Sequence, residues 1–567
     1  MTKRNTRAKE IDFLDLCKTA SADEVEEAIR NGASVSDFDQ YDVTVLMRAA
    51  SSNPDPEVIR VLLAAGADLE DTDVTGGTAL MRAAAENANP EVLRALLAAG
   101  ADIEVRDLAD RIPLVIAAEH NRNHEVVAAL LEAGADIEGR GDHGKTALMV
   151  AAWSNDNPMV LRVLLDAGAD VNARDNYNYT ALMLGVNNRS ANRSDTKIAE
   201  VLLSAGAEVD ARNDAGRTAL MAALEKEQNI GVVELLLKSG ADVNTRDNEG
   251  LTPLLCMKRA PEPKLLELLL NAGADASAMD DEGNTVLHRM ESGFTEQTLR
   301  MLLDAGVNPN SVNKSGETPL MQLAADPVAV PLLIASGANV NAKNRHGCTP
   351  LMIAAESAET DEPIKALIEA GAKVNARDKS KRTALLHAVE GNGRACIVEC
   401  LLEAGAIPNV RGEDGLTVLM HAVMMNRSED VLQALLTAGA DADAMLETGE
   451  SALSFAVNNC RIRRTCADAV RVLLEAGANP NIPQYNREPL LHRAVRANSS
   501  EVVRLLIEAG AFVSIPDSIG VTPLHLALLF HYRLKEAETI VNLLTDAGGE
   551  TLYEVDYSDT VMFLAEY

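Results

Sequence analysis

The chain has 567 residues, with 52 Lys+Arg against 85 Asp+Glu, a formal net charge of −33, and 3% aromatic residues inside a 47% hydrophobic fraction. Enough Ala, Leu and Val is present to offset chain entropy, which argues against disorder. The shortage of aromatics argues against a sandwich or barrel, and the charge excludes a basic nucleic-acid surface. No apolar run approaches the roughly 20 residues that span a bilayer. The opening MTKRNTRAKEIDFLDLCK has bases but no apolar stretch after them, so no secretory signal is expected. The seven Cys are scattered and odd in number, and read as reduced thiols of a cytoplasmic chain.

In chain order, residues 10–32 (EIDFLDLCKTASADEVEEAIRNG) predict two helices with charged outer positions and no hairpin before them, a cap occupying 1–36. Beyond it one period governs the chain. The string Leu-Leu-x-Ala-Gly-Ala recurs, and its glycine can be followed from Gly32 and Gly66 to Gly548 through sixteen anchors, most of them 34 residues apart. Twelve residues after an anchor comes Thr-Ala/Pro-Leu-Met, as at Thr44, Thr78, Thr146 and Thr180; Ile112, Ser451, Pro489 and Thr560 fill that slot less faithfully. Units begin near 42, 76, 110, 144, 178, 216, 250, 283, 316, 347, 381, 415, 449, 487 and 520, a continuous array over 37–548. Residues 549–567 form an acidic C-terminal cap or tail, whose Tyr553, Tyr557 and Tyr567 would be the contacts of a docking tail.

Each unit predicts a turn and two short antiparallel helices. The Thr caps the first helix. Five residues on, a small side chain such as Ala49, Ala83 or Ala117 lets helices approach closely. The second helix often starts at Asn-Pro (Asn89-Pro90, Asn157-Pro158), and the anchor Gly takes the left-handed position that ends it. A polar extended hairpin follows, with a turn Gly such as Gly76 or Gly144.

On these motifs the chain resembles the ankyrin repeat family over nearly its whole length; Thr522-Pro523-Leu524-His525 and Thr349-Pro350-Leu351-Met352 come nearest to the family's Thr-Pro-Leu-His signature. The resemblance implies an all-α ankyrin-repeat solenoid of stacked helix-turn-helix units with short β-hairpin-like loops. Met replaces the signature His in eight units: Met47, Met81, Met149, Met183, Met221, Met321, Met352 and Met420. Only His288, His492 and His525 keep it. In the family that His ties neighbouring loops, whereas Met is expected only to fill volume. The spacing of 34 exceeds the family's 33, and the extra residue falls between the helices.

No catalytic chemistry emerges. Cys396 and Cys400, four apart on a second helix, lack further zinc ligands nearby and read as packing; Cys460 and Cys466 read as free thiols. The 10 His do not recur at metal-ligand spacing, there is no GxGxxG or GxxxxGK[ST], and the recurrent Asp are turn-formers. No enzyme activity, metal or cofactor is expected.

Binding is what such an array offers. The resemblance places exposed positions at the hairpin tip, before the Thr slot and near the end of the first helix, on a concave side. There the units vary, and one concentration stands out: His143, Lys145 and Trp153, then Asn176, Tyr177, Tyr179 and Asn187, with Trp153 the only Trp. Weaker spots are Arg345, His346 and Glu356, and Met424-Met425 with Leu416. Two similar insertions, 186–193 and 457–464, add bases (Arg189, Arg193; Arg461, Arg463, Arg464) suited to an acidic partner or to a solvated loop. The expected role is a protein-interaction scaffold or inhibitor, monomeric when free and without direct nucleic-acid contact or membrane insertion. The competing role is an acidic decoy for the nucleic-acid site of a basic protein. The expected location is cytoplasmic, with export as an effector the other setting such a chain suits.

Overall fold

The repeating element is visible in residues 78–100. The Thr78 hydroxyl accepts the Met81 amide at 3.4 Å and opens helix Ala79–Glu86; Asn89 accepts the Glu91 amide at 3.1 Å and, with Pro90, opens helix Pro90–Ala98. Leu80, Met81, Ala83 and Ala84 of the first helix and Val92, Leu93 and Leu96 of the second are buried, each large side chain stabilising by roughly 1.5–3 kcal/mol. The computed structural model describes residues 13–186, 196–225, 230–257, 262–290, 295–459, 466–482, 488–530 and 536–551. Among them are 32 α-helices, and pairing between extended segments is limited to the isolated bridges Phe38–Thr44, Arg411–Thr417 and Met445–Ser451. The fold is an all-α repeat solenoid. It divides into two compact units, Met1–Asp281 with Arg289–Glu291, and Glu282–His288 with Ser292–Tyr567.

All sixteen anchor glycines hold φ between +81° and +99°, the left-handed helix end that the sequence predicts. The hairpin turn needs the same region two residues before the Thr slot. Where Gly is missing there, Asp42, Asp110, Asn178 and Lys381 are held at φ +58° to +62°.

Two expectations need correction. The Thr cap is not universal: the hydroxyls of Thr146, Thr252, Thr318 and Thr383 are buried and make no cap bond. Met does more than fill volume, since the thioether of Met352 accepts the Thr349 amide at 3.4 Å and that of Met420 the Thr417 amide at 3.5 Å. A polarizable sulfur thus returns the cap bond that a Glu or Gln would make. The extra residue does fall between the helices, and it is bonded there. Asn87, nine residues after Thr78, is buried and donates to Ala50 O (2.9 Å) and Asn53 O (2.8 Å) of the preceding repeat. Asn53, Asn121 and Asn155 do the same one repeat along, forming a ladder. The retained His288 and His492 do tie neighbours, through Nε2 to Glu317 O (3.1 Å) and to Val521 O (2.7 Å).

Candidate functional site on the hairpin tips

Most tips are fixed by an Asp or Asn at their base. Asp175 Oδ1 accepts the amides of Tyr177 and Tyr179, both at 2.9 Å, so the turn is closed by the Asp and the Tyr177 ring is left to solvent, 51% exposed. Asp73 does this for Thr75 (2.7 Å) and Gly77 (3.0 Å), and its other oxygen takes Arg82. Burial pushes the Asp73 carboxyl up, and the bonds from Thr75, Arg82 and Gly77 outweigh it, holding it below the usual carboxylate range. These acids shape turns. The thiols are no better suited to chemistry: burial pushes Cys17 up to about 12, and burial with help from Asp247 does the same to Cys256.

Successive tips are joined by backbone bonds: Val74 N to Tyr41 O (3.2 Å), Leu108 N to Thr75 O (3.0 Å), Asn176 N to His143 O (3.0 Å). Close approach is why Gly76 is needed, since a Cβ there would lie 2.9 Å from the Leu108 amide nitrogen.

The sequence-derived residues of the first unit come together in two pairs, each with one member on the hairpin 141–145. His143, in the left-handed region at φ +55°, sets its ring 5.8 Å from that of Tyr177 at an interplanar angle of 52°. Two residues on, Lys145 places its ammonium 4.8 Å from the Trp153 ring, a cation–π contact. Trp153 and Tyr179 are half-buried, and Asn176 is exposed.

Four residues were missed by the sequence reading: Phe38, Tyr41, Val74 and Leu108 are exposed apolar residues on or beside the preceding tips, Leu108 to 82%. Singly each is an ordinary loop residue. Backbone bonds set the Tyr41, Val74 and Leu108 tips in succession, and Tyr177 lies two tips beyond Leu108, past the tip that carries His143, within the same compact unit.

Asn187, Arg189, Arg193, Cys460, Arg461, Arg463, Arg464, Tyr553, Tyr557 and Tyr567 lie outside the described residues, and Cys466 is described only in its backbone. Of the weaker spots, Arg345, His346 and Glu356 are all exposed, and the Glu356 carboxylate also meets Nδ1 of His387 at 3.0 Å. Leu416 is 9% exposed, so only Met424 and Met425 form the apolar spot. Cys400 is buried and Cys396 exposed, so packing accounts for the first thiol and not the second. Burial is the leading cause pushing the Cys400 thiol up.

The fold and tips described above define a class, a stack of helix pairs bound edge to edge by hairpins. A family model described as ankyrin repeats (3 copies) matches overlapping segments from residues 16–107 to 462–554 without a gap. The chain belongs to the ankyrin repeat family, and so is in general terms a protein-interaction repeat array. Among solved structures it is similar to the ankyrin repeat domain of Bcl-3, titled a unique member of the IkappaB protein family, at 28% identity. That match covers 41% of this chain and 99% of that one, with a TM-score of 0.35. No curated protein matches. Among the described residues, no helix is long and apolar enough to cross a membrane.

Proposed function

We propose that the chain is a non-enzymatic scaffold or inhibitor that holds a partner protein along the hairpin tips of its first unit. The observation that carries this reading is the set of exposed apolar residues on successive hairpins, Phe38, Tyr41, Val74, Leu108 and Tyr177, with His143 and the Lys145–Trp153 pair in the repeat between the last two. Large rigid side chains give contact area for little lost rotamer freedom, and Lys145 and Asn176 provide a polar rim. The decoy reading has less support. The recurrent arginines face the chain's own acids, as in Arg82–Asp73 (2.5 Å), Arg111–Asp107 (2.8 Å) and Arg289–Asp280 (2.9 Å), which breaks up any phosphate-like row.

The test is affinity against folding. Capture from the native host identifies the partner, and Trp153→Ala or Tyr177→Ala should then weaken binding by about 2 kcal/mol each, roughly 30-fold in Kd. Leu108→Asp should do at least as much, with the melting profile nearly unchanged. A destabilised array with intact affinity would mean that Trp153 is a packing residue. A steep salt dependence with no response to these substitutions would favour the decoy.

A further inference from the structure

In the second compact unit, three residues that could serve as metal ligands converge. Cys348 ends one hairpin, Asp378 begins the next, and His387 lies on the helix Ala384–Glu390 that follows it. All three are buried, and a sulfur, a carboxylate oxygen and a ring nitrogen, one from each, lie within 4.8 Å of one another. Asp378 Oδ2 is 3.1 Å from His387 Nε2 and 4.0 Å from Cys348 Sγ.

The imidazole is the informative member. Its Nδ1 faces Glu356 at 3.0 Å and its Nε2 faces Asp378, so both nitrogens meet carboxylates. A neutral ring has one N–H to donate. If Glu356 takes it, two lone pairs oppose each other at Nε2 and Asp378, and something positive belongs between them: a proton or a metal ion. His421 in the next repeat also lies between two carboxylates, Glu390 at 3.3 Å from Nδ1 and Asp414 at 3.2 Å from Nε2, although Asp414 is an exposed tip residue. The two repeats differ in the third donor. The hairpin position before the Thr slot holds Cys348 in one repeat and Arg382 in the next, and a guanidinium cannot ligate a cation. So of the two, only the His387 site adds a sulfur.

We propose that Cys348, Asp378 and His387 bind a divalent transition-metal ion of the zinc class. A thiolate, an imidazole and one carboxylate are the donor set of such an ion, and not of calcium or magnesium. Bond lengths of about 2.3 Å to sulfur and 2.0–2.2 Å to nitrogen and oxygen place tetrahedral ligands roughly 3.3–3.7 Å apart, so the two pairs at 3.1 and 4.0 Å need shifts of a few tenths of an ångström, and the sulfur–nitrogen pair starts within 4.8 Å. Glu356 stands where metal-bound histidines carry their outer carboxylate, fixing the tautomer. Arg382, 2.9 Å from Asp378 Oδ2 through Nε, keeps its bond, since a carboxylate oxygen has lone pairs for both. The thiol proton leaves to solvent as the metal–sulfur bond forms. The ion would join the hairpin of one repeat to the hairpin and first helix of the next. Sequence spacing hides this set, because its members are 30 and 9 residues apart and belong to two repeats.

The full-length reduced protein, freed of metal by a chelator, is titrated with Co(II) and then Zn(II). The expected result is one equivalent of Co(II) with a sulfur-to-cobalt charge-transfer band and tetrahedral visible absorption, displaced by zinc. Cys348→Ser and His387→Arg should abolish the band, Glu356→Gln should weaken binding at least tenfold, and His421→Gln should leave it unchanged. His387→Arg protects against a folding artefact, because Arg48, Arg82 and Arg289 occupy that slot in other repeats and pair the same hairpin acid. A titration without a saturable equivalent would overturn the site. So would a band that survives His387→Arg or is lost with Cys396→Ser instead.

Discussion

Single residues show where the repeat is under local strain. The hairpin turn demands the left-handed region two positions before the Thr slot, and ten described turns meet it with Gly. Asp42, Asp110 and Asn178 tolerate that region because a short polar side chain can bond locally. Lys381 at φ +62° has no such help, and its side chain is exposed. The left-handed conformation costs an ordinary residue about 1–2 kcal/mol, while Gly costs roughly 0.5–1 kcal/mol in chain entropy. Lys381→Gly should therefore stabilise its repeat by up to about 1 kcal/mol. Hydrogen exchange should read this as slower exchange of amides over 378–403; faster exchange there would show that the lysine side chain contributes more than its backbone costs.

Between elements, the Asn ladder carries the joint that the 34-residue spacing creates. Asn87 gives both amide hydrogens to carbonyls of the preceding repeat, and its own carbonyl receives one from Asn121 at 2.9 Å. Asn87→Ala would leave two buried carbonyls without partners, each costing about 1–3 kcal/mol when unsatisfied. The expected loss is roughly 2–4 kcal/mol, measured by denaturant unfolding. Asn89→Ala, at a half-buried cap whose amide reaches Pro54 O at 2.7 Å, should cost nearer 1 kcal/mol. If both cost the same, the ladder adds nothing beyond capping. This contrast also marks what the sequence made legible. Anchor Gly, contact Ala and helix starts repeat because backbone conformation and close packing fix them, so one chain displays them many times. The spacing revealed the extra residue but not its purpose, since an Asn in a loop has many uses and only folding shows which carbonyls it reaches. His143, Lys145, Trp153 and Tyr177 were legible as large residues in variable slots. Phe38, Tyr41, Val74 and Leu108 were not, because each is unremarkable until hairpins stack.

At the scale of the molecule, stability is a sum of repeat and neighbour terms, and a local lesion spreads only as far as neighbour coupling carries it. The protein supplies its own local probe: the single Trp lies at residue 153, in the first compact unit, while circular dichroism reports every helix. Unfolding should not be two-state, and the Trp153 fluorescence transition should not coincide with the dichroism transition. Asn87→Ala should move the fluorescence midpoint to lower denaturant. A lesion in the second unit, such as His492→Ala, which breaks a 2.7 Å bond to Val521, should shift the dichroism curve and leave the fluorescence midpoint in place. Coincident curves, displaced together by either substitution, would mean that folding energy is shared across the whole chain, and the account of this protein as a nearest-neighbour array would have to be given up.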